Sequence, residues 1–593
     1  QTSKAYKLDP NRAIERDTIG DYIPDGIKVQ PGFTTAIIAD TGSGKTHQIK
    51  KIIDGCKTLG TMAIFFTPTN KMGQEVAYNF GIPHRNSLGE DGLPMEIDDV
   101  LSEACRRGGL VLCPDSIGWA RTLLENFPTY VVICDEAAKV LEHLSSGTTI
   151  KDRYSEINEN FAELIKGSQS LILAEAKLSE QDLLTFEAMS GKSTLVYRHR
   201  RKTAKKNVKI YTGVTGATFS ALLSEVVDRL LAGERVIIPT DSQRMAIKIE
   251  MFLQEVVPHL RGIRNDAQTS YIPDVKLLTR TPNKFLADNQ LHYLIYTPVC
   301  KAGCDLKGFD DEIDGLRREY HFDAVCAFFT VLPTSDHVQM IARYRVVVPL
   351  SISCPELINQ VGDEINLSGK ILRKLRGEEL AANVQFCGFS DKPRPDAPLQ
   401  SVLDDIYIHN TIRNGLEKSI ARYSLQQRLI DDGHTVTTEP VSLKDIKDVD
   451  PDRYVTLRGI CQRLKDIGDS IDRSWGNSIS NVVLRPEDDS QEAARIDRLE
   501  APTPHERAKA AKIRLQTRFP GVEFDGLTAY YATRKYGTLA NAADLHAKLL
   551  FSDFVKATQR ERNTALLNEK VIAVHHLDKT VQRTALMLQV GII

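Results

Sequence analysis

One short stretch constrains this chain more than any other: Ala39-Asp40-Thr41-Gly42-Ser43-Gly44-Lys45-Thr46. An apolar run, Thr34 to Ala39, leads into it and reads as a buried parallel strand. Thr46 to Cys56 leads out of it, with Ile49, Ile52, Ile53 and Cys56 at helical spacing. Strand, glycine-rich turn, Lys-Thr and helix together make a phosphate-binding loop. Gly42 and Gly44 let successive backbone N–H groups turn inward around an anion with no Cβ in the way. The helix start adds partial positive charge at the same place. On this reading Thr41, Gly42, Ser43, Gly44, Lys45 and Thr46 bind a nucleoside triphosphate. Lys45 reaches the β- and γ-phosphates and the Thr46 hydroxyl holds Mg²⁺. The usual pattern opens on Gly where this chain has Ala39, a departure of one small residue.

The flanking sequence sets the fold class. Apolar runs at Thr34–Ala39, Met62–Phe66, Leu110–Cys113, Tyr130–Cys134 and Ser170–Ala174 alternate with helical stretches. That alternation predicts an α/β domain with a parallel sheet covered on both faces. Ser179 with Asp182 three residues on predicts the start of a helix ending near Gly191. The pattern then restarts at Val208–Thr212, Arg235–Pro239, Val275–Thr279, His292–Tyr296, Phe322–Phe329 and Val346–Leu350, without a second glycine loop. The expected organisation is an N-terminal lead-in (1–31), a first α/β domain (32–197), a basic linker (198–206), a second α/β domain (207–350) and a mainly helical region (351–593) with a linker near 484–503. The basic run Arg198 to Lys206 reads equally as a solvated linker or as a nucleic-acid contact. Thr503-Pro504-His505-Glu506 is a capping box that starts a helix carrying Arg507, Lys509, Lys512 and Arg514. Its basic face reads as solvated or as a contact to nucleic acid.

A second constellation sits on the strand Val131-Val132-Ile133-Cys134-Asp135, which runs into Glu136-Ala137. An acid at the carboxyl end of a strand beside a phosphate loop can hold Mg²⁺ through water, and this assigns Asp135. The next acid, Glu136, can position or deprotonate the water that attacks the γ-phosphate.

With these two constellations in order the chain resembles the superfamily 2 nucleic-acid helicases, Asp135-Glu136-Ala137-Ala138 standing as a DEAD-like box. Phe66-Thr67-Pro68-Thr69 matches motif Ia, and Leu171 to Ala176 stands where motif III does. Val236 to Ser242 resembles motif IV, Tyr296-Thr297-Pro298 through Gly303-Cys304-Asp305 motif V, and Gln339 to Arg345 motif VI. Motif VI departs from its common form: Ala342 replaces Gly, and the second arginine comes one residue early. That spacing is similar to the origin-binding and cyanobacterial plasmid-replication helicases. Glu175-Ala176-Lys177 replaces the acidic pair these relatives carry in motif III. The resemblance covers residues 24 to 350 and implies two tandem RecA-like domains. It implies that Gln339, Arg343 and Arg345 act in catalysis, that Gly303 and Asp305 help bind ATP, and that Thr67, Thr69 and Thr297 touch the nucleic-acid backbone. An arginine from the second domain adds charge that Lys45 alone cannot supply to the transition state.

The expected function is an ATP- and Mg²⁺-dependent DNA helicase or translocase of plasmid or phage replication, acting on single-stranded DNA or a tailed duplex. The rival readings are an ATP-gated clamp that does not unwind, and a motor subunit of a nuclease or defence complex. A net charge of −2 over 593 residues confines any nucleic-acid binding to local patches. The ten cysteines are scattered, Cys300 and Cys304 being the closest pair, with no zinc set around them. Reduced thiols and the absence of a membrane-length apolar run point to a cytoplasmic protein with no membrane partner. Gln1 in place of Met suggests a piece of a longer protein, with further domains or replication partners beyond it.

Overall fold

The apolar runs pair into two seven-stranded sheets. The computed structural model describes residues 8–40, 42–87, 95–125, 127–146, 149–150, 153–201, 205–298, 306, 309–313, 316–360, 362–365, 367–374, 398–497, 499, 502–519, 521, 523–530, 532 and 549–568. The chain divides into two units, one from residues 1–203, 360–417 and 553–579, the other from 204–359, 418–552 and 580–593.

The first unit holds β1 (Ile14–Gly20), β2 (Thr34–Ala39), β3 (Met62–Phe66), β4 (Gly109–Leu112), β5 (Tyr130–Asp135), β6 (Ser170–Glu175) and β7 (Thr194–Arg201). Their order is β1-β7-β2-β6-β5-β3-β4, with every neighbouring pair parallel. β2, β3 and β6 are buried at every residue. Cover on both faces demands this, and it is why these strands read as unbroken apolar runs. Ser179 caps the helix Glu180–Ser190, accepting Asp182 N–H at 3.2 Å while its own N–H donates to the Asp182 carboxylate at 2.8 Å.

The second unit holds β8 (Asn207–Gly213), β9 (Val236–Pro239), β10 (Gly262–Asn265), β11 (Tyr293–Tyr296), an antiparallel hairpin of β12 (Phe309–Ile313) and β13 (Leu316–Tyr320), β14 (Ala324–Phe328), β15 (Leu350–Ser353) and β16 (Thr435–Val441). The main sheet runs β10-β11-β9-β14-β15-β8-β16, all parallel. Ile237 and Leu294 enter one core cluster, while Val236, Ile238, Tyr293 and Ile295 enter another. This period of two shows that both faces are covered. The architecture is therefore two tandem RecA-like α/β units, with a mainly helical region beyond residue 350.

Several boundaries differ from expectation, each for a local reason. Residues 1–31 are not merely a lead-in: Ile14–Gly20 pairs with β7 as an edge strand, its exposure alternating residue by residue. Both faces are mostly polar, Arg16 and Thr18 on the half-buried side and Glu15 and Asp17 on the exposed side, and that hid it. The run 198–206 begins inside β7, where Asp17 of β1 takes Arg198 Nε at 3.1 Å and Arg200 at 3.5 Å. Val275–Thr279 is helix, not strand. Pro273 at the first helical position, Asp274 in the first turn and buried Val275 and Leu278 three apart all favour it. The last predicted strand starts at Leu350 rather than Val346, one residue past Pro349, which has no N–H to give a ladder.

Beyond residue 350 the chain is built into both units. β16 pairs beside β8 as an edge strand, a position that tolerates Pro440. The helix Pro451–Ser480 lays Leu457, Ile460, Leu464 and Ile467 into the second unit's core, and Leu403 and Ile406 of the helix Pro398–Ser419 enter the first unit's core. The expected linker near 484–503 contains the helix Ser490–Asp497, whose Ala493 and Ile496 pack with Ala510 and Ile513. The basic helix Pro504–Arg518 spends its charges nearby. Arg507 donates to Ala267 O, Lys509 meets Asp488 at 2.7 Å and Glu492 at 3.2 Å, Lys512 donates to the Ser480 and Val482 carbonyls, and Arg514 pairs with Asp497. Among the described residues no helix is long and apolar enough to cross a membrane, and no group of three or more His, Cys, Asp and Glu could hold a metal.

Candidate active site

In the first unit β2 delivers the chain to the glycine turn and the helix Lys45–Thr58 carries it away. Thr41 lies outside the described residues. Gly42 and Gly44 take φ of 82° and 89°, left-handed values that a Cβ would strain. Gly44 caps the helix without any side-chain hydrogen bond, and the first turn holds no acid. The positive end of the helix dipole is therefore unopposed. Ser43 is buried, its Oγ donating to Asp40 O at 2.6 Å. Lys45 Nζ donates to Ala39 O at 2.5 Å and Asp40 O at 3.3 Å, and Thr46 is exposed at the start of the helix.

Strand register brings the acids to the same edge. Asp135 ends β5 opposite Ala174, and Glu175 ends β6 opposite Ile38 of β2. Burial, then the charge of Glu136, pushes the Asp135 carboxyl up to about 7 against the pull of Lys45. Glu175, only 7% exposed, is held well above the usual carboxylate range by burial first and by Glu136 next, with Lys45 again opposing. Acids crowded around one lysine favour a further positive charge, such as a hard cation that binds oxygen. Glu136 itself takes φ of 53°, its N–H donating to Asp135 Oδ1 at 3.1 Å. A left-handed non-glycine residue costs about 1–2 kcal/mol, and such strain gathers where function needs it. Its carbonyl accepts Lys139 N–H at 2.8 Å and Val140 N–H at 3.1 Å, opening the helix Ala137–Ser146.

Sequence reasoning had not placed Glu175 in this cluster, although an acid at the end of the strand between β2 and β5 was a visible signal. It also missed a cavity of about 540 Å³ beside the loop, lined in part by Tyr22, Asp25, Gly44, His47, Gln48 and Lys51. Tyr22 is 70% exposed, and Ile23 N–H donates to Ser43 O at 2.8 Å, which ties this segment to the glycine turn. Gln48 donates to Ile23 O at 3.1 Å and to Asp25 at 3.2 Å, and Lys51 pairs with Asp25 at 2.5 Å. An open aromatic face beside a phosphate loop can stack a nucleobase. Nothing periodic marks Tyr22 in the sequence.

Thr67 is fully buried and donates its hydroxyl to Thr69 O at 3.1 Å. Thr69 is exposed and caps the helix Asn70–Phe80, accepting Met72 N–H at 3.4 Å.

In the second unit Thr297 is 3% exposed, and Gly303 and Asp305 lie outside the described residues. Gln339 is half-buried on the helix Thr334–Ile341, and Arg343 and Arg345 follow it, also half-buried. Their backbone is held on several sides. Tyr296 Oη donates to Met340 O at 2.6 Å, Leu306 N–H to Arg343 O at 3.0 Å and Arg345 N–H to Leu306 O at 3.0 Å. The loop before this helix is anchored by Asp241, which follows β9 and is itself buried. It accepts Thr330 N–H at 2.7 Å, Val331 N–H at 2.7 Å, Leu332 N–H at 2.8 Å and His337 Nε2 at 2.9 Å. Burial pushes this carboxyl up, but the bonds from His337 and the amides outweigh it and hold it below the usual range.

Asp241→Ala strands those donors in the interior and should lower the unfolding free energy of the second unit by about 2–4 kcal/mol at pH 7. Because the folded carboxyl is depressed, its stabilisation is present above the unfolded value near 4 and is lost as pH falls through the lower folded value. Urea unfolding at pH 7 and at pH 3 tests both statements. A variant as stable as the parent at pH 7 would refute the anchor.

No protein-family model matches this chain, and no curated protein matches it significantly. Solved structures to which it is similar include Mss116p bound to single-stranded RNA and AMP-PNP, at 10% identity over 69% of this chain and 90% of that one, TM-score 0.39. They also include the Hef helicase domain of Pyrococcus furiosus, at 12% identity over 55% and 92%, TM-score 0.33. A third is the DUF1998 helicase MrfA bound to DNA, at 14% identity over 58% and 49%, TM-score 0.37.

Proposed function

We propose that this chain is an ATP-dependent nucleic-acid helicase or translocase of the superfamily 2 type. The observation that carries the reading is the cluster at one sheet edge: an uncapped helix start, Lys45, and the acids Asp135, Glu136 and Glu175. Lys45 and the loop amides bind the phosphates, and Glu136 positions the attacking water. Mg²⁺ held by Thr46 and Asp135 would neutralise developing charge on the phosphates. Gln339, Arg343 and Arg345 complete the transition-state charge, and Tyr22 offers the base a stacking face. A phosphate loop in one RecA-like unit and arginines in the next suit a motor better than a small-molecule kinase, which has no use for the second unit.

The track is DNA, single-stranded or a tailed duplex, and the Gln339-to-Arg345 spacing supports a cytoplasmic plasmid- or phage-replication setting. ATPase activity measured side by side with single-stranded DNA, duplex DNA and RNA tests the reading. Stimulation by none of them overturns it, and strand displacement on a tailed duplex separates a motor from an ATP-gated clamp. Thr69, exposed at its helix start, would meet a phosphate rather than a base, whereas the Thr67 and Thr297 N–H groups are spent on Leu112 O and Asn265 O, so sequence preference should be weak. Affinity for single strands should fall with salt at a slope of about −0.7 per neutralised phosphate. A flat salt titration would remove the phosphate-tracking idea.

A further inference from the structure

Lys206 is the last residue of the basic run 198–206, and the reading above gives it no task. Its backbone is fixed where the β8–β16 pairing starts: its N–H donates to His434 Nδ1 at 3.3 Å and its carbonyl accepts Thr435 N–H at 3.1 Å. Its side chain runs inward to 8% residue exposure, and Nζ donates to Tyr344 O at 2.8 Å. No carboxylate meets this ammonium among the described residues. Burying a cation without a counter-ion is costly, and burial alone pushes Lys206 down to about 8. Methionine would bury similar methylenes at no such cost, so packing by itself does not account for a lysine here.

Its acceptor explains it. Tyr344 lies between Arg343 and Arg345 and forms a parallel bridge with Leu306. In that pairing Leu306 bonds the residues on either side, Arg343 O and Arg345 N–H, so the Tyr344 carbonyl points the opposite way. Lys206 meets it there. The Tyr344 ring is pinned at its far end, Oη donating to Phe322 O at 2.8 Å and accepting Phe322 N–H at 2.7 Å. Among the described residues the buried Arg343 Nε has no hydrogen-bond partner, so the course of the backbone bears on where that guanidinium points.

We infer that Lys206 is a positioning residue for Arg343 and Arg345, tying the start of β8 to the backbone of the arginine segment through the Tyr344 carbonyl. This rests on the proposed ATPase. Without the tether the turn loses its bond on the side away from Leu306, and the arginines lose alignment while the nucleotide-binding loop of the first unit is untouched.

The test compares the full chain with Lys206→Met, which keeps the length and removes the donor, and with Lys206→Arg, which keeps charge and donors. With saturating single-stranded DNA, Lys206→Met should lower kcat about 10–100-fold, the scale of a misplacement near 1 Å. KM for ATP and DNA affinity without nucleotide should stay within about 2-fold, and urea unfolding should show no loss of stability. Lys206→Arg should recover most of kcat. A folded Lys206→Met chain with parental kcat overturns the inference, as does one that fails to fold, or one whose loss lies in KM. If the parent chain hydrolyses no ATP with any nucleic acid, the ATPase reading is what fails; if it does and Lys206→Met matches it, only the tether fails.

Discussion

Arg343→Ala is expected to lower nucleic-acid-stimulated kcat by about 10³-fold or more, the scale measured for arginines that complete phosphoryl-transfer sites. On the proposed reading the transition state spreads negative charge over the γ-phosphoryl oxygens, and Lys45 with the loop amides would neutralise only part of it. An arginine that acts there gains most in the transition state, so kcat should fall far more than ATP affinity. Lysine lacks the planar fork that grips two oxygens at once, so Arg343→Lys should be nearly as damaged. The frame around the residue sharpens the expectation. Met340, Arg343, Tyr344 and Arg345 are each held through backbone groups, so truncating the Arg343 side chain should leave that backbone in place. Single-stranded DNA affinity without nucleotide should barely change. A variant that loses DNA binding yet hydrolyses ATP normally at saturating DNA would assign Arg343 to the nucleic-acid track instead.

Glu136→Gln should keep ATP binding and slow turnover by about 10²–10⁴-fold, the usual contribution of a positioned general base. Lys45→Ala should abolish hydrolysis and weaken ATP binding as well, because Lys45 is the positive side chain whose charge reaches both Asp135 and Glu175. Without it only the loop amides and the helix start would offset the repulsion between those acids and the phosphates. The contrast between the two variants is the informative result. Nucleotide binding measured by equilibrium titration, together with single-turnover hydrolysis, separates them. If Glu136→Gln hydrolyses ATP at the parental rate, the water is positioned by another group, and Glu175 is the next acid to test.

What could be read from the chain, and what could not, follows from the range of the forces involved. The glycine turn at 42–44 and its helix, the capping boxes at Ser179 and Thr503, and the buried runs of β2, β3 and β6 are set within a few residues. There the backbone conformation and the period of burial are local properties. Asp135 at a strand end was legible for the same reason. β1 was hidden because this edge strand is mostly polar on both faces and shows no apolar alternation, and β16 because its partner β8 lies more than two hundred residues away in sequence. No local pattern tells that Leu403 belongs to one core and Leu457 to the other. The crowding of Glu175 against Asp135 and Glu136, the cavity beside Tyr22 and the reach of Lys206 to Tyr344 are likewise decided by strand order and register. Parallel sheets bring together residues far apart in sequence, and burial changes the cost of a charge only once the chain has closed around it.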